Sequence, residues 1–277
     1  MAVLKLIAMS ITAVVILAVL VVGLAYWIFT QQIGADLDRL VAAAQPANAT
    51  ITEAMFASLP EPAQRYFRFA GVVGKPIPRL VRLTQKGRIR SSNAANWMTL
   101  ESDETYSTNP PAFVWRAWFP AAATPVALGR DEYLEGRGSI LMKMLAIAPL
   151  ADQRGDELAA AGLMRFFNEA MWFPAALLGP NVSIAARDKD SFRAAISDRG
   201  LTAEAVFFVD ADGRLTNFRA QRYNTDSRSI ETWETPVGAY RDFGGLQLPS
   251  AGSAVWKLPS GDLNYIELEI TGVTYEN

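Results

Sequence analysis

Residues 7–29 carry no charged side chain and are rich in Ile, Val, Leu and Ala. At about 1.5 Å per helical residue this run reaches across a hydrocarbon core of about 30 Å. Tyr26 and Trp27 fall near its far end, where an aromatic belt belongs. A cleaved signal peptide has a shorter apolar region with small residues directly after it, whereas this run ends in Trp27, Ile28, Phe29, Thr30, Gln31 and Gln32. The pattern predicts an uncleaved single-pass anchor with a short stub over residues 1–33. An amphipathic or frayed linker over 34–50 and one β-rich domain over 51–277 follow.

Within that domain the apolar period changes along the chain. The Leu59-Pro60 break and Pro62 open a helix whose body is residues 63–69, ended by Gly71. From Pro78 the period is two: Val81, Leu83 and Ile89 alternate with Arg82, Lys86, Arg88 and Arg90. A loop over 91–96 sets Ile89 opposite Met98 and Lys86 opposite Glu101. Strands over 97–106, 113–119, 126–134 and 139–147 continue the pattern, separated by Pro110-Pro111, Pro120, Pro125 and Gly136. Residues 156–178 are apolar in nearly every direction around a helix, which predicts one long helix clasped by the strands on either side. Beyond Gly179-Pro180 come strands at 182–187, 192–197, 201–209 and 214–223. The Asp210-Ala211-Asp212-Gly213 turn sets Phe207 opposite Thr216 and Ala205 opposite Phe218. Strands near 229–234 and 239–243 and a hairpin joining 252–258 to 263–273 complete the chain. Two runs of hairpins around one helix make an α+β fold, a large curved antiparallel sheet of about ten strands wrapped around helix 156–178.

Composition narrows the function classes. The chain has no Cys and no His, which removes thiol and histidine-activated nucleophiles and the common zinc sites. No metal and no cofactor are expected, and catalysis would rest on Asp, Glu, Tyr, Lys, Ser or Arg. A net charge of -2 argues against nucleic acid as a partner. Lys5 and the free amine precede the span, and Asp36 and Asp38 follow it. That bias keeps the basic end cytoplasmic and places the large domain on the extracytoplasmic side of an inner (plasma) membrane. Asn48-Ala49-Thr50 and Asn181-Val182-Ser183 match the glycosylation pattern, which matters only in a eukaryotic secretory host.

Four stretches carry a resemblance: residues 59–68, 164–174 (Met164 to Pro174), 220–223, and 255–262. Their order and spacing resemble an uncharacterised bacterial family of membrane-anchored proteins of unknown function. The resemblance implies a shared fold and brings no activity and no catalytic residues. A sheet curled around a helix is also similar in architecture to the periplasmic lipoprotein-carrier fold, whose apolar cavity holds acyl chains.

The candidate ligand site follows from two charged residues in the apolar helix. Arg165 and Glu169 stand four apart, with Asn168 beside them, and Arg222 lies in phase with the core-facing residues of its strand. The functional reading is a headgroup site, with guanidinium groups for a carboxylate or phosphate and Trp172 and Tyr223 for the apolar part. The structural reading, an ion pair fixing the helix to the sheet, weighs more. The row Arg82, Lys86, Arg88 and Arg90 reads as a solvated face neutralised by Glu101 and Asp103 rather than a lipid-headgroup surface. Residues 210–213 lack the ligand set of a calcium loop, and Gly136-Arg137-Gly138 is too short for a phosphate loop. Glu267 and Glu269 read as surface charge rather than a glycosidase pair. Most of Trp97, Trp115, Trp118 and Phe119 read as core.

The leading expectation is a non-catalytic, membrane-anchored binding module for a lipid or other apolar ligand, held in a cavity lined by Phe, Trp and Met. The alternatives are a carboxylate-dependent hydrolase or isomerase, with two acids converging in an open cleft, and an envelope scaffold or assembly protein with an exposed apolar patch.

Overall fold

The computed structural model describes residues 1–47, 49–121 and 124–277, so the glycosylation pattern at Asn48 lies outside the described residues. Helix α1 (Ala2–Ala43) is the one helix among the described residues long and apolar enough to cross a membrane. It does not end with the apolar run. It continues through the first part of the segment expected as a linker and buries Phe29, Ile33 and Leu40. These pack on Leu80, Ala112, Val114, Leu134, Leu141 and Ala146. The helix thus lies along the outer face of a sheet.

The 3₁₀ turn Glu53–Met55 and helix α2 (Glu61–Ala70) follow, and α2 stops at Gly71, whose φ of 74° is left-handed. Six strands then run as a meander: β1 (Leu80–Ile89), β2 (Met98–Thr108), β3 (Pro111–Ala121), β4 (Thr124–Leu134), β5 (Arg137–Met144) and β6 (Ala148–Gly155). Helix α3 (Asp156–Glu169) leads to a second arm, β7 (Val182–Asp188), β8 (Ser191–Asp198), β9 (Leu201–Val209), β10 (Leu215–Asn224) and β11 (Ser229–Glu234). A small ribbon, β12 (Tyr240–Asp242) with β13 (Gln247–Pro249), stands apart before β14 (Ala251–Leu258) and β15 (Gly261–Glu276).

The strand order is β6-β5-β4-β3-β2-β1-β15-β14-β11-β10-β9-β8-β7, a curved antiparallel sheet of 13 strands. Its two edges, β6 and β7, are the strands that α3 joins in sequence. The helix packs inside the curve of the half-barrel, against β3 to β6 of one arm and β9 and β10 of the other. Gly138 on β5 allows its closest approach: a Cβ there would stand 2.1 Å from the Leu158 carbonyl oxygen.

Inside the curve the core is aromatic. Phe192 and Phe207 stack at 5.0 Å, Phe218 meets Phe207 edge-on at 5.0 Å, and Phe167 of α3 meets Phe207 at 5.5 Å. Each such pair adds about 0.5–1.5 kcal/mol beyond area burial. Trp115 and Phe119 join this core, but Trp97 and Trp118 do not. Trp97 lies against the guanidinium groups of Arg88 and Arg90, and Trp118 donates to Glu101 from the outer face.

The expected register between β1 and β2 is present: Ile89 faces Met98 and Lys86 faces Glu101. The β9–β10 register is displaced by two residues, with Phe218 opposite Phe207 and Ala220 opposite Ala205. The Asp210 carboxylate accepts from the amides of Asp212 and Arg214, which widens the turn, and a bulge follows between Leu215 and Asn217. The shift of two leaves Phe218 and Ala220 on their expected face, but the bulge turns Leu215 into the core in place of Thr216, which is exposed. The long helix expected over 156–178 is α-helical only to Glu169. Two 3₁₀ turns follow, Ala170–Trp172 and Pro174–Leu178, because Pro174 holds Phe173 out of helical geometry at φ −142° and ψ 60°. The strand expected over 139–147 turns back at Leu145, and β6 follows without a sequence signal, its side chains mostly exposed.

Candidate functional site

Even positions of β2 point inward: Leu100, Ser102, Glu104 and Tyr106 are all buried. Ala127, Gly129, Asp131 and Tyr133 share the inward phase on β4. That phase aims Glu104 and Asp131 at α3, where Arg165 meets both. Its guanidinium donates to Glu104 at 2.9 and 3.1 Å, to Asp131 at 2.6 Å and to Glu169 at 2.9 Å. It lies over the rings of Phe113 and Trp115, at 4.8 and 5.1 Å. The Tyr106 hydroxyl donates to Glu169 at 3.1 Å.

One guanidinium thus serves three carboxylates out of water. Burial pushes the Glu104 carboxyl well above the usual glutamate range; Arg165 opposes this and Glu169 adds to it. Burial and the two glutamates raise the Tyr106 phenol likewise. Burial works against the Arg165 charge, but Glu104, Glu169 and Asp131 outweigh it and raise its pKa further. Glu104 therefore keeps its proton where a free glutamate has lost it. The group is a buried polar bolt between α3 and the first arm of the sheet. Glu104 is wholly inaccessible and Glu169 is 6% exposed, so the acids converge as a hydrolase requires but are closed to a substrate.

The sequence candidates separate. Arg165 and Glu169 belong to this group. Arg222 does not complete it: its guanidinium lies over Trp233 and Trp256, at 4.6 and 5.6 Å, and reaches the Ala161 carbonyl. The residues that complete the group are Glu104 and Asp131, legible in hindsight as acids in phase with apolar strand positions. Tyr223 alternates to the face away from α3 and pairs with the exposed Ile230. Trp172 is buried and donates to the Pro249 carbonyl at 3.0 Å, while its own carbonyl accepts from Tyr275 at 2.7 Å. Asn168 donates to Thr235 at 2.6 Å, so α3 is fastened to the second arm as well.

The basic row is neutralised chiefly from β15. Arg82 pairs with Glu276, and Arg88 with Glu267 at 2.7 Å. Lys86 faces both Glu101 and Glu269, while Asp103 is taken by Arg116. An open groove of about 690 Å³ crosses this face, bordered by Lys86, Arg88, Glu267, Glu269 and the Pro236–Gly238 segment. Charges of both signs alternate across it.

A second hollow is smaller and more apolar. About 170 Å³ opens between Val72, Pro76, Pro78, Phe173, Leu246 and Tyr275, with Lys75 and Asn277 at the rim. Val72 and Phe173 are core residues, so here the aromatic interior reaches the surface. The Lys75 ammonium donates to the Gly244 carbonyl at 2.9 Å beside the opening. Neither hollow is lined by the Arg165 group, and the concavity expected to be hollow is occupied by rings. Among the described residues no group of three or more His, Cys, Asp or Glu side chains is placed to hold a metal ion.

A family described as of unknown function, DUF6544, matches residues 49–268. The chain belongs to that family. The DUF6544 region covers β1 to β14, α3 and the first half of β15, and begins after α1. No curated protein matches the chain. Among solved structures, it is similar to a putative outer membrane lipoprotein-sorting protein domain from Vibrio parahaemolyticus, at 9% identity and a TM-score of 0.43, over 72% of this chain and 86% of that one. It is also similar to a DUF1329 family protein from Desulfovibrio piger, at 9% identity and a TM-score of 0.41, over 82% and 94% of the two chains. A beta-barrel-like DUF1849 protein from Brucella abortus is similar at 7% identity and a TM-score of 0.25, over 73% and 99%.

Proposed function

We propose that the protein is a non-catalytic binding module, anchored in the inner membrane by residues 7–29 and displayed on the extracytoplasmic side, that takes an apolar group such as a lipid chain end. The observation that carries this reading is the crevice at Phe173 and Tyr275. There the aromatic core reaches the surface, the lining is almost wholly apolar, and Lys75 stands at the rim as a partner for an anionic head. Its volume lies below the roughly 300–1,000 Å³ of a site for a drug-sized ligand. The occupant is therefore the end of a chain or a small apolar group, not a whole lipid. In this reading Arg165, Glu169 and Arg222 hold α3 in place, Trp172 fixes the crevice wall through Tyr275, and Tyr223 lies apart from the ligand.

The test is native mass spectrometry of the full chain in nanodiscs of known lipid composition, followed by extraction and identification of retained molecules. The expected result is a retained apolar molecule that is lost from Leu246→Trp, a variant that fills the crevice from its rim. Retention by that variant would move the ligand elsewhere in the fold. A chain that retains nothing apolar would overturn the module reading in favour of an envelope scaffold.

A further inference from the structure

The outer edge of the first arm carries a patch that the binding reading does not use. Val126, Met144, Leu145, Ile147 and Leu150 are between 38% and 52% exposed. They cluster around one turn, where β5 passes into β6. The Ile147 amide donates to the Met144 carbonyl at 2.9 Å, and both residues between are left-handed, Leu145 at φ 48° and Ala146 at φ 59°. Asn-Gly is the usual occupant of such a turn, because L side chains resist positive φ. Here the two positions hold Leu and Ala. The sequence thus keeps apolar side chains where both solubility and backbone geometry favour Asn and Gly.

The position of this turn on α1 supplies the occupant. Ala146 packs in the cluster that holds Phe29, with Ala25 and Tyr26 beside it. The Lys143 ammonium lies 5.5 Å from the centre of the Phe29 ring. At its other end α1 meets the β2–β3 turn, where the Gln45 amide donates to the Asn109 carbonyl at 2.7 Å. The helix therefore runs along the sheet, and the β5–β6 turn is the part of the domain level with residues 25–29. Those residues are the last of the apolar span, just before Thr30, Gln31 and Gln32. At the same end of the sheet, the β1–β2 turn exposes half of Met98 and holds Trp97 against Arg88 and Arg90. Apolar tips flanked by Trp, Lys and Arg at this depth suit the boundary between headgroups and acyl chains.

We infer that the β5–β6 turn, with Leu145 and Ile147 at its tip, is inserted into the same bilayer leaflet that α1 leaves, so that the domain lies on the membrane by a second contact. The inference rests on the anchor reading of residues 7–29, from which it takes its depth. The continuous helix gives it geometric support, since α1 passes from span to sheet without a break at the boundary.

Because the chain has no cysteine, single ones report position cleanly. Full-length Leu145→Cys, Ile147→Cys and, as reference within the span, Ala18→Cys are labelled with an environment-sensitive fluorophore in liposomes of mixed neutral and anionic lipid. A label at Lys189, on the exposed β7–β8 turn at the opposite end of the sheet, serves as the aqueous reference. The expected result is that the labels at 145 and 147 shift to the blue, are quenched by doxyl-labelled lipid and escape aqueous iodide, as the label at 18 does. Iodide quenching at 145 and 147 with a lipid-buried label at 18 would overturn the tip insertion and leave the anchor standing. Protection from both quenchers would place a protein partner on the tip and also overturn it. A label at 18 in water, or an intact mass lacking the first residues, would show the anchor reading to be wrong, and the insertion would fall with it.

Discussion

Arg130 of β4 donates to Asp36 of α1 across 2.6 Å, with both side chains nearly buried. The same guanidinium meets Ser139 at 2.6 Å and Glu132 at 3.2 Å. A sheet residue thereby fixes the helix that emerges from the apolar span. Breaking a buried pair by removing one partner costs about 3–5 kcal/mol. Asp36→Asn should release residues 33–43 locally, seen as faster amide exchange there with the rest of the domain unchanged. Unchanged exchange would mean that Phe29, Ile33 and Leu40 hold the helix by themselves.

Arg165 is expected to be the most sensitive charged position in the domain. Arg165→Met leaves Glu104, Asp131 and Glu169 facing one another out of water, and should lower the urea-unfolding free energy by about 3–5 kcal/mol. Arg165→Lys should recover only part of that, because one ammonium cannot reproduce a planar fork donating to three carboxylates. Full recovery with lysine would show that charge alone matters at this position.

Glu104 gives the domain a pH dependence of defined sign. Its folded-state value is raised above the usual 4.5, so between these two values the folded chain binds more protons than the unfolded one. Its contribution is complete below about pH 4.5 and is lost as pH rises through the raised value. Glu104→Gln mimics the protonated carboxyl and should remove this loss. The stability of the wild type minus that of the variant should therefore decrease with rising pH, measured by urea unfolding at a series of pH values. A flat or rising difference would place the proton elsewhere in the group.

Gly138→Ala tests the approach of α3 to the sheet. The new methyl would meet backbone, the Leu158 carbonyl, which cannot turn aside as a side chain can. Overpacking of this kind costs about 1–3 kcal/mol, or roughly 2–12 °C in Tm for a domain of this size. Gly238→Ala, at a position with open space around it, is the control and should leave Tm in place. Equal Tm values for the two variants would mean that α3 shifts freely on β5.

Much of the fold was legible because strands alternate. Val81, Leu83 and Ile89 against Lys86 and Arg88 marked β1 and set its register with β2 to the residue, though β2 runs two residues further than expected. The β9–β10 register slipped because a side-chain carboxylate, Asp210, reshaped the turn, and hydrophobic pattern carries no record of such hydrogen bonds. Strand β6 escaped notice because an edge strand exposed on most positions has no alternation to read. In the charged group, Arg165 and Glu169 stood out against an apolar helix. Glu104 and Asp131 are their equals in the structure, but each sat among other polar residues of its strand, and only the phase of Leu100, Tyr106 and Tyr133 marks them as inward-facing. Arg222 shared that inward phase yet reached a different part of α3, since phase sets a face and not a position along it.

The seam between β1 and β15 has a consequence for how the protein is made. Elsewhere in the large sheet, adjoining strands lie close together in sequence, but Arg82 and Glu276 are 194 positions apart. Both arms can form as local hairpins while synthesis continues, yet they cannot be joined until the final 16-residue strand has left the ribosome. An N-terminus held early in the membrane would keep the waiting β1 edge tethered close to its own late-arriving partner, and apart from the edges of other chains.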